Sequence, residues 1–195
     1  MRTLLTTVLL VAVAGRGAAQ WSVGAEISAS RYGGSSHDTS GTHAAPEGRP
    51  GDATVLHLRV EHRWRRFGIA IRAGTSKPGL AITGQGVNVT DKTSGRLIEA
   101  AALASTRVGG IGSSGAVRLE LGPALHLWSF EDTRSRLGAT GALAYEWLVA
   151  GRFTGAVRLE GMISPSWFDQ GDTPPEFERR ATWRYNVGLG LRYRL

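Results

Sequence analysis

The stretch Trp183–Leu195, W-R-Y-N-V-G-L-G-L-R-Y-R-L, places an apolar or aromatic residue at every second position. Trp183, Tyr185, Val187, Leu189, Leu191, Tyr193 and Leu195 alternate with Arg184, Asn186, Gly188, Gly190, Arg192 and Arg194. A strict period of two marks a β-strand with one apolar and one polar face. The rings stand toward the two ends of the apolar face, and the aliphatic residues fill its middle. Such a profile fits a strand crossing a bilayer, with an apolar band between two aromatic girdles.

The same alternation recurs upstream. In Trp21–Tyr32, Trp21, Val23, Ala25, Ile27 and Ala29 oppose Ser22, Gly24, Glu26, Ser28 and Ser30. Ala53–Trp64 sets Leu56, Leu58, Val60, His62 and Trp64 against His57, Arg59, Glu61 and Arg63. Arg65-Arg66 then turns the chain, and Phe67, Ile69, Ile71 and Ala73 alternate with Gly68, Ala70, Arg72 and Gly74. Two such runs around so short a connection predict a hairpin. Arg96–Val108 carries Ile98, Ala100, Ala102, Ala104 and Thr106 opposite Glu99; its alanines also suit a helix, but its place in the pattern favours a strand. Ala116–Trp128 sets Val117, Leu119, Leu121, Leu125 and Leu127 against Arg118, Glu120, Ala124 and His126. Pro123 interrupts that strand and predicts a bulge or the start of an extension beyond the membrane. Leu137–Val149 and Phe153–Ser164 bring the count, with the final stretch, to eight.

The connections differ in length. Gly33–Asp52, Thr75–Gly95 and Pro165–Thr182 are long, polar and rich in Gly, Ser or Pro, with Val87 and Val89 suited to a short strand extension in the second; Ser129–Arg136 is of medium length. Arg65-Arg66, Gly109–Gly115 and Ala150–Arg152 are short. Short turns on one side and long loops on the other describe an all-β, eight-stranded antiparallel up-and-down transmembrane β-barrel. One hexapeptide, G-A-V-R-L-E, occurs at Gly115–Glu120 and again at Gly155–Glu160, on two strands that run in the same direction.

Residues 1–19 form the expected signal peptide: Arg2 is its positive start, Leu4–Ala14 its apolar run, and Gly17 and Ala19 the small residues before cleavage. Residues 20–195 are then a single barrel domain. The chain has no cysteine, which removes disulfides, thiolate chemistry and zinc–thiolate sites. Its formal charge is +7, less the two arginines of the leader. Lysine occurs only at Lys77 and Lys92, so the excess is arginine. The arginines are spread over the strands among glutamates rather than clustered, which argues against a nucleic-acid partner.

The polar faces decide which side of the wall meets lipid. Glu26, Glu61, Glu99, Glu120, Glu146 and Glu160 stand against Arg59, Arg72, Arg118, Arg158, Arg184 and Arg192. Buried charges must be paired, so this balance suits a closed, side-chain-filled lumen with the apolar faces toward lipid. A soluble lipocalin-like carrier would instead turn its apolar faces inward.

On these features the chain resembles the small eight-stranded outer-membrane β-barrel proteins of Gram-negative bacteria. The resemblance covers nearly the whole of residues 20–195 and is one of pattern, without a diagnostic motif. It implies the fold and location in the cell outer membrane; contact with outer-membrane lipid and a monomeric state are the further expectations. Members of that group usually end in Phe or Trp, which the assembly machinery recognises; here Leu195 follows Tyr193 and Leu191.

Some barrels of this group modify lipids. A deacylase-like site would need a Ser, a His and an acid, for which His126, Ser129 and Glu131 are the candidates. Three residues apart on a regular strand, His126 and Ser129 point to opposite faces, so no catalytic residue is assigned. His37, Asp38 and His43 match no metal-ligand spacing, and no metal or cofactor is assigned. Gly188-Leu189-Gly190 lies within a strand and opens no helix, so it is no phosphate loop. Trp167 and Phe168 beside Asp169 make the last long loop the candidate for an external ligand or protein; the alternative for them is packing on the barrel rim. The expected function is therefore non-enzymatic, structural or interactive, through the outer loops. The two rivals are a lipid-modifying barrel enzyme and a soluble periplasmic carrier.

Overall fold

A computed structural model describes residues 20–39, 47–84, 87–91, 95–112, 114–129, 132–169, 171–172 and 177–195. The expected leader and its cleavage site lie outside these residues. The elements in chain order are β1 Gln20–Gly33, β2 Ser36–Asp38, β3 Glu47–Pro50, β4 Ala53–Trp64, β5 Phe67–Ser76, β6 Leu80–Gly84 and β7 Val87–Asp91. There follow β8 Arg96–Gly109, β9 Ala116–Ser129, β10 Thr133–Ala150, β11 Phe153–Ser164, β12 Phe177–Arg179 and β13 Thr182–Arg194.

Eight of these close into a barrel in the order β1-β13-β11-β10-β9-β8-β5-β4. Every neighbouring pair is antiparallel, including β1 with β13, which seals the wall between the first and last strands. Closure leaves no unpaired edge, which is the condition for a sheet to stand in hydrocarbon. The in–out alternation sets which side faces what. Outward residues are fully displayed, as Leu58 (70% exposed) and Leu121 (65%) show, while inward Glu61 (0%) and Glu120 (1%) are sealed from solvent. An apolar exterior around a charged interior is the inverse of a lipocalin, and it rules out the soluble-carrier alternative.

Aromatic side chains mark the short-turn end of the outer surface. Trp21 and Trp64 hold the outward His62 between them, each ring centroid 4.5 Å from the imidazole. Tyr145 stacks on Trp147, and Phe153 tilts against Tyr193. Trp183 and Tyr185 form the corresponding ring pair toward the other end of β13. The rings at the two ends of the final strand thus belong to two different girdles.

Three details depart from the expected layout. Pro123 introduces no bulge: the β8–β9 register is the same on both sides of it, and the shift comes at Arg107/Gly109 beside the turn. The medium loop largely vanishes, because β9 and β10 run on to pair Ser129 with Thr133. Above all, the long loops contain strands. These form a five-stranded sheet in the order β12-β2-β3-β6-β7. That order repeats, one storey higher, the barrel order β13-β1-β4-β5-β8. The wall is interrupted rather than ended, and three of its breaks, at Gly34-Ser35, Gly79 and Gly95, contain residues with positive φ.

Candidate functional site

The lumen is the first place where chemistry-bearing residues meet. The two copies of G-A-V-R-L-E face the same way, with Arg118, Glu120, Arg158 and Glu160 all inward and buried. They flank β10, which places Ala144 opposite both arginines and Ala142 opposite both glutamates. Small residues on the middle strand leave room for the long side chains on either side. Gly74 does the same on β5, where a Cβ would lie 2.2 Å from the His57 ring.

These side chains form one continuous ladder. At the short-turn end Arg63 and Arg192 both bridge Glu61 and Glu146. Arg59 links Glu61 at 3.3 Å to Glu120 at 2.8 Å. Arg158 joins Glu120 to Glu26, the latter at 2.9 Å. Arg72 passes the chain to Glu160, and Arg184 connects Glu160 at 3.3 Å with Glu99. His57 Nε2 lies 2.6 Å from Glu99 Oε1, and Tyr32 closes the series by accepting from Arg184 at 3.4 Å. The expected one-to-one balance needs correction in two places. Arg63 is a seventh inward arginine, and Arg118 bonds to the Ser105 hydroxyl at 2.9 Å instead of a carboxylate.

Above the ladder sits an aromatic lid. Tyr32, Leu97, Trp128 and Trp167 form a buried cluster, with Leu80 and Phe168 against it. Trp167 meets Trp128 edge-on at 5.4 Å between centroids, and Phe168 packs on Trp167 at 5.0 Å. The segment that carries them is tied down on two sides. Ser166 Oγ donates to the Ser35 carbonyl at 2.7 Å. Arg136 donates to the carbonyls of Ser166 and Trp167 and to Asp169 Oδ1 at 2.6 Å. Arg134 pairs with Asp172, and its hydrogen bond holds that carboxyl below the usual aspartate range. Arg134 and Arg136, expected in a loop, lie on the extended β10 and serve as the clamp.

The sequence candidates fall as follows. Trp167 is buried and belongs to the rim packing. Asp169 is exposed but engaged by Arg136 and Arg134. His126 is buried on the lumen face of β9, opposite Glu99 in the β8–β9 pairing. Ser129 Oγ lies 2.8 Å from Thr133 Oγ1, and Glu131 lies outside the described residues. His37 and Asp38 are on β2, and His43 lies outside the described residues. Gly188 faces the lumen against Ser28 and Glu26. Sequence reasoning finds the strand at Val87 and Val89, which is β7, but misses the Arg134–Arg136 clamp and the rest of the upper sheet because they carry no strong period: β2 is S-H-D and β3 is E-G-R-P.

No protein-family model matches the chain, and no curated protein matches it. Among solved structures it is similar to Neisserial surface protein A, with 9% identity, a TM-score of 0.61, and coverage of 89% of this chain and 96% of that one. It is similar to the outer membrane protein OprG from Pseudomonas aeruginosa at 11% identity and TM-score 0.54, covering 91% and 96%. A major outer membrane protein from Thermus thermophilus matches at 11% and 0.50, covering 90% and 99%. At these identities the likeness establishes the fold, the small outer-membrane β-barrel. The lipid-facing exterior and that fold together assign the chain to the outer membrane.

Proposed function

We propose that the chain is a non-enzymatic outer-membrane protein whose barrel is an anchor and whose upper storey is the interaction surface. One observation carries this: the lumen is crossed between Glu61 and Glu99 by an arginine–glutamate ladder and covered by the Trp167 lid. A filled eight-stranded barrel leaves no room for a solute path. What remains accessible is the platform of β12-β2-β3-β6-β7, held on a rigid wall, and loops on such scaffolds are where binding is concentrated. The platform supports contact with an external ligand or protein by a monomeric barrel set in outer-membrane lipid.

The experiment is a pull-down from detergent-solubilised surface material. Wild-type protein is compared with a variant whose 36–50 and 80–91 segments are each replaced by a short turn. Retained heat-modifiable gel migration would show that the variant barrel is intact. Selective loss of captured material with an intact barrel supports the platform. Equal capture by both, or a change in lipid A acyl chains on expression that disappears in His126→Ala, would overturn it.

A further inference from the structure

The two mouths of the barrel differ in how many of their arginines are paired. At the long-loop end Arg49, Arg134, Arg136 and Arg180 each pair with an acid, Asp52, Asp172, Asp169 and Glu178, while Arg31, Arg96 and Arg179 have no ion pair among the described residues. At the short-turn end Arg65, Arg66, Arg107, Arg152 and Arg194 lie at or beside the rim, and none of them has a carboxylate partner among the described residues. The carboxylates that do reach this end, Glu61 and Glu146, point into the lumen and are occupied by Arg63 and Arg192.

This mouth is also hollow. A cavity of about 390 Å³ opens there, with Arg63, Arg107, Arg192 and Arg194 on its walls and Glu146 as its single acid. Ser22, Ser114 and Thr154 add hydroxyls, and Gln20 adds an amide. Arg107 Nε donates to the Gly109 carbonyl at 3.3 Å, and Arg194 donates to the Gln20 amide oxygen at 3.3 Å. Among the described residues neither guanidinium makes a further hydrogen bond. Its ladder residues are Arg63, Glu146 and Arg192, which are tied to one another and to Glu61, so the cavity is a vestibule backed by the ladder.

We propose that this vestibule is an anion site that takes a phosphate group, with Arg107 and Arg194 as its binding residues. A planar guanidinium presents paired N–H donors that match two phosphate oxygens. Arg63 and Arg192, fixed by their own carboxylates, supply preset positive walls, and Arg65, Arg66 and Arg152 extend the same sign of potential around the entrance. With four arginines against the single Glu146 on its wall, the concave site carries an excess of positive charge, which concentrates counter-ions at its mouth. In a barrel of this topology the short turns face the periplasm, so the ligand comes from that side. The phosphate can belong to a soluble molecule or to a headgroup of the adjoining lipid leaflet, whose level the Trp21, Trp64 and Trp147 rings mark.

The test is an NMR titration of the full barrel in a maltoside detergent, which carries no phosphate, with inorganic phosphate as probe against chloride at equal ionic strength. Saturable shifts are expected at the amides of Arg107, Ser114, Thr154 and Arg194, with none at Arg134 and Asp172. In Arg107→Gln/Arg194→Gln the dissociation constant should rise at least about tenfold, the loss of one charge-assisted contact. Both side chains lie at the rim, and heat-modifiable migration verifies that the variant is folded. Arg107→Lys/Arg194→Lys keeps the charge without the fork and should fall between the two. A second arm repeats the titration in nanodiscs with and without phosphatidylglycerol. If the anionic lipid shifts the same amides and excludes phosphate, the headgroup is the source; if phosphate binds unchanged, the source is soluble. Non-saturating shifts, equal shifts at both mouths, or an unchanged constant in the glutamine variant would overturn the proposal.

Discussion

At the scale of single residues, stability rests on charges that cannot be left alone. Glu120 is buried and holds Arg59 at 2.8 Å while also accepting from Arg158. Glu120→Ala leaves both guanidiniums short of a partner in a site water does not reach. Breaking one side of a buried pair costs about 3–5 kcal/mol. Urea unfolding followed by tryptophan fluorescence should show a loss of that size. Removing Arg158 as well should restore part of it, because the two changes share one interaction. The small residues between the charges matter for the opposite reason. Ala144 is 1% exposed and stands between Arg118 and Arg158 on the neighbouring strands. Ala144→Leu inserts methylenes where the arginine stems already lie, and overpacking costs about 1–3 kcal/mol. Its unfolding midpoint should fall, whereas Leu143→Ala, on the lipid side of the same strand, should leave the lumen ladder unchanged.

At the scale of elements, the barrel strands are legible because period two writes each of them plainly. Their facings follow directly from Leu56/His57/Leu58/Arg59 and from the two G-A-V-R-L-E copies. Apart from the strand at Val87 and Val89, the upper storey is not legible, since β2, β3 and β12 are too short for a pattern to emerge. They pair because the barrel below already holds their flanks at strand spacing, a tertiary cause that local sequence does not record. The lid is half legible. The Trp167-Phe168 pair stands out, but that it turns inward depends on Tyr32, Leu97 and Trp128 meeting at the mouth. Trp167→Ala should therefore loosen the whole 165–172 segment: tryptophan emission should move to the red and protease should cut there first. Acid should loosen the same segment by another route. Arg134 holds the Asp172 carboxyl below its ordinary value, so the contact is intact above about pH 4, the unfolded aspartate range. It is lost as pH falls through the depressed folded value. The pair is largely exposed, so salt should weaken it too. The Trp167 indole resonance, followed from pH 5 to pH 2, should report the change, and Asp172→Asn should reduce it, leaving the part carried by Asp169.

At the scale of the whole molecule, two separate barriers close the barrel. The lid covers the long-loop mouth, and beneath it the ladder from Glu99 to Glu146 spans the lumen. The short-turn mouth opens into a vestibule backed by the ladder. An eight-stranded interior is just wide enough for its own side chains, and here those side chains are cross-linked by charge-assisted hydrogen bonds. Opening the lid therefore does not open a pore. Wild-type protein in planar bilayers should show no steady conductance, and Trp167→Ala should be equally silent although its lid is loose. The combination of Trp167→Ala with Glu120→Ala removes one barrier and weakens the other, so any conductance should appear first in that variant. A steady current through the wild-type barrel would mean that the ladder moves aside under an applied potential, and the barrel would then be a channel rather than an anchor.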